Sequence, residues 1–215
     1  MPDISAAHGQ PDSQKIIGLY DRHARAFDRE RNRSLFERPW LDRFLRLLPA
    51  GGSILDLGCG VGEPIGRYFI ESGREVVGVD SSPAMIAVCK NRFPRGTFVE
   101  ADMRTLSYPR SFSGIIASDS FFHLTPADQR KMFGVFRQHA DKGAALIFTS
   151  GPAYGVSMGE YHGEPLYHAS LDVAEYHALL DQNGFQVVSF ALEDPDCGGH
   201  TIWLAKMTSP IRPDV

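Results

Sequence analysis

The stretch that decides the fold is residues 54–62, which read Ile-Leu-Asp-Leu-Gly-Cys-Gly-Val-Gly. An apolar run breaks here into a turn with glycine at alternate positions, Gly58, Gly60 and Gly62. Glycine suits a strand-to-helix reversal, because the reversal needs backbone angles that a Cβ disfavours and because a ligand can then touch the main chain. The stretch predicts a buried strand followed by a turn that holds a nucleotide-like cofactor.

A second strand supports a cofactor site beside this turn. Residues 75–80 read Glu-Val-Val-Gly-Val-Asp and end in the carboxylate of Asp80, eighteen residues after Gly62. A carboxylate at this place can accept hydrogen bonds from ribose hydroxyls. Glu63 stands three positions after Gly60, where the glycine pattern of NAD enzymes requires a third glycine. Glu63 therefore argues against a dehydrogenase.

Strand and helix patterns alternate along most of the chain, after two amphipathic helices at 13–29 and 36–48. Such alternation predicts a parallel sheet covered by helices on both faces. The predicted strands are 53–57, 75–79, 96–99, 112–118, 143–149, 185–193 and 200–206, with helices at 63–72, 83–92, 126–140 and 172–182. Because the connection at 194–199 is too short for a crossover helix, we expect the last strand to run antiparallel.

Composition limits the protein class. A chain of 215 residues with 43% hydrophobic content can bury one substantial core, so we expect a single domain over 1–215. The net charge of −4, without a clustered Lys/Arg stripe, makes nucleic acid an unexpected partner. Three widely spaced cysteines indicate neither a disulfide framework nor a zinc site. With a polar start at 1–14 and no long apolar run, we expect a soluble cytoplasmic protein that does not bind membranes. The oligomeric state stays open.

Seven strands closed by one antiparallel hairpin, after an Asp-x-Gly-x-Gly-x-Gly turn, resemble the class I S-adenosylmethionine-dependent methyltransferases over residues 50–206. The resemblance implies a Rossmann-like α/β fold, S-adenosyl-L-methionine as cofactor and methyl transfer as activity. It also implies that Asp56 and the glycine turn hold the methionine end, Asp80 the ribose and Asp102 the adenine amine, with Met103 packed on the adenine. The expected cofactor-binding residues are Asp56, Gly58, Gly60, Gly62, Asp80, Ser81, Asp102, Met103 and Asp119.

The alternative for each acid is a structural one, because an acidic residue at a strand end often caps a loop, and Asp56 could hold its own loop by accepting backbone N–H groups.

A methyltransferase needs a dry pocket and, for an O–H or N–H acceptor, a group that removes a proton. In a parallel sheet such groups gather beyond the carboxyl ends of the strands. His123, after the fourth predicted strand, is the leading candidate base, and the alternative is a structural histidine bonded to backbone. His168 and His200 are weaker candidates. The expected acceptor contacts are Tyr20, Trp40, Phe121, Phe122 and Tyr154, of which Tyr20 and Trp40 could instead be core anchors.

Residues 151–170 show no convincing periodicity, which predicts a lid loop that, with the helical cap at 13–48, encloses the acceptor. Its Glu160, His162 and Glu164 have no fixed ligand face, so no metal is expected. The sequence predicts an S-adenosylmethionine-dependent methyltransferase acting at oxygen or nitrogen of a small molecule. Two alternatives stay open: a catalytically inactive S-adenosylmethionine-binding regulatory or partner protein, and an NAD-dependent oxidoreductase.

Overall fold

The computed structural model describes the backbone of residues 6–208 and the side chains of residues 13–208. Its helices and strands follow the predicted alternation. Two helices come first, α1 Ala6–Glu30 and α2 Arg38–Leu47. The remaining elements are β1 Ile54–Leu57, α3 Ile65–Glu71, β2 Val76–Asp80, α4 Pro83–Arg92, β3 Thr97–Glu100, β4 Phe112–Ala117, α5 Pro126–His139, β5 Ala140–Ser150, β6 Gly155–Tyr161, β7 Glu164–Ser170, α6 Val173–Gln182, β8 Phe185–Asp194 and β9 His200–Met207.

Seven strands form one sheet in the order β3-β2-β1-β4-β5-β9-β8. The first five are parallel, and β9 runs antiparallel to both of its neighbours. This confirms the predicted fold class. The chain leaves β1 toward β2 on one side and later returns to β4 on the other. The crossovers therefore diverge at the carboxyl end of β1, where such sheets open a crevice for ligands.

Helices bury both faces of this sheet. Leu55 and Leu57 of β1 face one cluster that holds the aromatic side chains of α5 and α6, whereas Ile54 faces a second cluster with α2 and α3. The period-two alternation of β1 thus fills two cores at once, which explains its continuous apolar run. Side-chain hydroxyls cap the starts of α4 and α5, since Ser82 Oγ accepts the Met85 N–H and Thr125 Oγ1 accepts the Asp128 N–H, both at 3.1 Å.

The segment predicted as an irregular lid loop is instead a β-hairpin, so that part of the prediction is wrong. Strands β6 and β7 pair antiparallel as a separate two-stranded sheet, around a turn in which His162 and Gly163 have φ of 51° and 80°. Positive φ at both positions matches the tight turn that right-twisted hairpins favour. Tyr167 and Ala169 pack with Ile16 of α1. The pattern was hidden because β6 is largely exposed, so it lacks an apolar face.

Within residues 6–208, the helices are too short or too polar for any of them to cross a bilayer.

Candidate active site

A cavity of about 370 Å³ lies at the carboxyl edge of the sheet, where the glycine turn follows β1. Its wall combines that turn, the ends of β2, β3 and β4, and side chains of α1, β7 and β9. Segments far apart in sequence meet there because the carboxyl ends of parallel strands share one edge. The cavity is therefore the crevice that the sheet order predicts.

Asp80 holds the glycine turn in place from the end of β2. Its carboxylate accepts the Gly60 N–H and the Ser82 N–H, each at 2.9 Å. Gly60 has φ of 53° and lines the cavity, and a Cβ added there would find only Phe27 within 4 Å, at 3.5 Å. Gly62 differs, because a Cβ there would come within 2.8 Å of the Phe93 ring and the residue does not line the cavity. Gly60 thus faces the ligand space, and Gly62 serves helix packing.

Two carboxylates lie close together on the floor of the cavity. Burial and, to a smaller extent, the nearby charge of Asp80 together raise the pKa of Asp56 to about 7, although Arg31 opposes the shift. Burial also raises the pKa of Asp80, although the N–H groups of Ser82 and Gly60 oppose the shift. A cationic group in the cavity would be attracted to this pair and would favour the ionised form of Asp56.

A charged triad stands beside them. Asp119 has φ of 51°, and its Oδ2 accepts hydrogen bonds from both Nη atoms of Arg31 at 3.2 Å. Nδ1 of His200 lies 2.9 Å from Oδ1 of Asp119. Burial alone would raise the pKa of Asp119, but the hydrogen bond and charge of His200, with Arg31, lower it. The hydrogen bond to Asp119 raises the pKa of His200 in turn.

His123 is buried with both ring nitrogens engaged. Nδ1 lies 2.8 Å from the Tyr167 carbonyl, which can only accept, so Nδ1 carries the proton. Nε2 then accepts the Tyr20 hydroxyl at 2.9 Å. Burial lowers the pKa of His123 to about 4, so the ring is neutral at pH 7. The contacts match the structural alternative, in which the histidine joins α1, β7 and the loop after β4.

A second cavity of about 390 Å³ adjoins the first. Phe122, His168 and His200 line both. The Phe122 ring centroid lies 5.2 Å from that of His168 and 6.1 Å from that of His200. The rest of the lining comes from the end of β5, the hairpin and the turn before β9. The two cavities therefore share one wall, the aromatic cluster of Phe122, His168 and His200. Ligands bound in the two cavities would meet at this cluster.

Comparisons with known proteins agree with this geometry. Residues 54–143 match a family model described as a methyltransferase domain. An uncharacterized methyltransferase of Bacillus cytotoxicus is 25% identical over 171 residues, covering 73% of this chain and 77% of the relative. One from Bacillus mycoides is 23% identical over the same length and the same shares of each chain.

Solved structures share the fold. The Burkholderia thailandensis 1,6-didemethyltoxoflavin N1-methyltransferase, with its acceptor and S-adenosylhomocysteine bound, superposes with a TM-score of 0.73 at 18% identity, covering 96% of this chain and 93% of that one. An S-adenosylmethionine-bound amino pentose methyltransferase of Micromonospora echinaspora gives a TM-score of 0.67 at 17% identity, covering 88% and 97%. This chain is an S-adenosylmethionine-dependent methyltransferase with the class I fold.

The cavity of this methyltransferase fits its cofactor, S-adenosylmethionine. The donor set has the required chemistry: a carboxylate at the end of β2 for ribose hydroxyls, a second after β3 for an amine, and the acidic floor for the cationic methionine end. Gly60 leaves main chain open to the ligand. Of the residues predicted to bind it, those lining the cavity are Asp56, Gly58, Gly60, Asp80, Ser81, Asp102, Met103 and Asp119. Their individual roles stay predictions.

Asp102 also serves the structural role that was its alternative. Its side chain accepts the Arg104 N–H and the Arg104 Nε–H, each at 2.9 Å, and so caps the short turn Met103–Thr105. Glu63, which interrupts the NAD pattern, lines the cavity and pairs with Arg67 at 2.6 Å.

Four predicted residues lie outside the cavities, and we correct their assignment. Gly62 packs against Phe93, as described above. Trp40 is buried in the core, where its indole N–H donates to Asp194 at 2.8 Å. Phe121 is fully buried among the rings of α5 and β5. Tyr154 is 63% exposed and absent from both linings. Tyr20, Phe122, His123, His168 and His200 do line the first cavity.

Arg31 and Phe27 are cavity residues that the sequence analysis missed. Both lie near the end of α1 or just after it, far from the glycine turn in sequence. A helical pattern shows which of its residues are apolar but not which cavity they border, so no local signal identifies them. Across residues 13–208, no cluster of three or more His, Cys, Asp or Glu side chains is arranged to hold a metal ion.

Proposed function

We propose that this methyltransferase acts on a small-molecule acceptor, at oxygen or nitrogen, and that the acceptor occupies the second cavity. One observation carries the proposal: the second cavity meets the first at Phe122, His168 and His200. A methyl donor and an acceptor bound on either side of these residues can approach within reacting distance, as an in-line displacement requires.

The size and the wall of the second cavity favour a small molecule. Its volume of about 390 Å³ lies within the range of small-ligand sites. The hairpin forms one side of it, and β7 of that hairpin is held to α1 by the packing of Tyr167 on Ile16. The net charge of −4 gives a nucleic-acid backbone little attraction.

S-adenosylmethionine, when bound, supplies a methyl group on a positively charged sulfur. The chain's own residues position it and keep water away. Asp80 would accept hydrogen bonds from the ribose hydroxyls, and Asp56 with the glycine turn would hold the methionine end. Arg31 adds a positive charge to the cavity wall, which can pair with a carboxylate group of the bound ligand. Tyr20 and His123 tie α1 to the hairpin over the cavity, which excludes solvent from the reacting groups.

The structural neighbours support a small acceptor, since they include a 1,6-didemethyltoxoflavin N1-methyltransferase, an amino pentose methyltransferase and a glycopeptide N-methyltransferase. Each of them acts on a molecule that is not a nucleic acid. Their low identity to this chain transfers no particular acceptor.

Two experiments test the proposal. Calorimetry should show S-adenosylmethionine binding that Asp80→Ala abolishes and that Asp181→Ala, an exposed change on α6, leaves intact. Binding of NAD without any response to S-adenosylmethionine would refute the cofactor assignment. A screen of small phenols, amines, carboxylates and thiols should then yield S-adenosylhomocysteine with at least one class, and methylation of protein or nucleic acid alone would refute a small-molecule acceptor.

A further inference from the structure

The second cavity has an unusual electrostatic lining. Among its described lining residues there is no Asp, Glu, Lys or Arg, and the titratable side chains are His168 and His200. An acceptor entering as an ammonium ion would find no carboxylate there, and an unpaired buried charge is strongly disfavoured. The lining therefore suits a neutral acceptor whose acidic proton can pass to a histidine.

The junction between the cavities suits a flat ring. Phe122 and the imidazoles of His168 and His200 form an aromatic cluster with centroid distances of 5.2 and 6.1 Å. An aromatic acceptor can add to such a cluster by stacked or edge contacts over the same distance range. The lining also includes the small, uncharged residues Gly151, Ala153 and Gly155.

His200 lines the second cavity and has one ring nitrogen that no described residue engages. Asp119 engages its Nδ1, so the ring presents Nε2, and none of the hydrogen bonds among residues 13–208 uses that atom. His123, in contrast, has both nitrogens bonded within the protein. His200 and Asp119 therefore have the arrangement of a proton-accepting imidazole fixed by a carboxylate.

We propose that the acceptor is an aromatic hydroxyl compound of the phenol class, that His200 takes its proton, and that Asp119 positions His200. The proposal rests on the proposed function above. The hydroxyl proton moves to Nε2 of His200 while the oxygen forms a bond to the methyl carbon, and the carbon–sulfur bond breaks with its electron pair going to sulfur. The products are the aryl methyl ether, S-adenosylhomocysteine and a protonated His200, so charge and atoms balance.

An O–H acceptor is favoured over an amine for a chemical reason. A neutral amine attacks through its lone pair before it loses a proton, whereas a phenol becomes a strong nucleophile as its proton leaves. A base placed at the junction thus serves the hydroxyl. The groups facing His200 are Asp119 and Glu37, which raise its pKa, Arg31, which lowers it, and His168, whose own pKa burial lowers.

The first test uses 4-nitrophenol as probe, with S-adenosylhomocysteine filling the first cavity, followed by its absorbance change and by calorimetry. We expect wild-type protein to bind it and His200→Gln to weaken binding at least tenfold. His177→Gln is the control, because His177 is exposed on α6 and borders neither cavity. Equal affinity for aniline, no affinity for 4-nitrophenol, or unchanged binding in His200→Gln would each overturn the proposal.

The second test separates His200 from Asp119. The His200 imidazole, followed by NMR, should titrate above its ordinary pKa in wild-type protein and lower in Asp119→Asn, with weaker 4-nitrophenol binding at the same time. An unmoved titration would remove Asp119 as the positioning residue. S-adenosylmethionine binding is measured in parallel. If wild-type protein does not bind S-adenosylmethionine, the proposed function is refuted. If it binds S-adenosylmethionine and methylates amines but not phenols, only the present inference is refuted.

Discussion

Three glycines with positive φ allow strain, packing and ligand contact to be measured separately. Gly73 has φ of 76°, and a Cβ there would meet nothing within 4 Å. Gly62 has φ of 74°, and its Cβ would come within 2.8 Å of Phe93. Gly60 has φ of 53°, and its Cβ would enter the cavity space next to Phe27 at 3.5 Å. We therefore expect Gly73→Ala to show backbone strain alone, Gly62→Ala to show strain and overpacking, and Gly60→Ala to show strain and weaker ligand binding.

The magnitudes follow from these contacts. Gly73→Ala carries only the left-handed backbone cost, about 1–2 kcal/mol of unfolding free energy. Gly62→Ala adds overpacking against a buried ring, about 1–3 kcal/mol more. Gly60→Ala should resemble Gly73→Ala in stability, because its new methyl group makes only an ordinary van der Waals contact with Phe27. Gly60→Ala should instead weaken the binding of S-adenosylmethionine about tenfold, which is equivalent to about 1.4 kcal/mol.

The assay combines urea unfolding without ligand and calorimetry with S-adenosylmethionine on all three variants. We expect Gly73→Ala and Gly60→Ala to be similarly stable and both to be more stable than Gly62→Ala. We also expect Gly60→Ala to lose affinity for S-adenosylmethionine and Gly73→Ala to keep it. If Gly62→Ala is as stable as Gly73→Ala, or if Gly60→Ala binds the cofactor as the wild type does, the division of roles within the turn is wrong.

The other predictions concern buried polar groups. Tyr176→Phe should lower the unfolding free energy by about 2 kcal/mol or more in urea titrations, because the Leu171 N–H and the side-chain amide oxygen of Gln129 lose their shared partner; an unchanged midpoint would contradict it. The raised pKa of Asp56 means that its neutral form favours folding and that this contribution is lost as pH rises from about 4, its unfolded value, to about 7. Asp56→Asn should therefore raise the melting temperature relative to wild type at pH 8 but not at pH 4, and a constant difference would refute the shift. Trp40→Phe should cost about 1 kcal/mol through the lost Asp194 hydrogen bond and leave S-adenosylmethionine affinity unchanged, and a large loss of affinity would return Trp40 to the site.

Local sequence signals predicted the elements that they physically control. These signals are the apolar runs of β1 and β2, the glycine turn and the short 194–199 connection, and each acts through neighbouring residues. They were sufficient to predict the sheet, its antiparallel last strand and the edge of the sheet at which the cofactor binds. The hairpin at β6 and β7 was missed because β6 buries little, so its alternation has no hydrophobic contrast to reveal it.

The fold and the cofactor class follow from local sequence patterns, because the glycine turn, Asp80 and the strand-helix alternation lie within short stretches of chain whose geometry follows from backbone rules. The tertiary structure, in contrast, sets which residues share a space. It separated Gly60 from Gly62 in the same turn, moved Trp40 and Phe121 into the core, and brought Asp119 within 2.9 Å of His200, eighty-one positions later. Such contacts arise from the packing of strands and helices distant in sequence, so no local pattern encodes them.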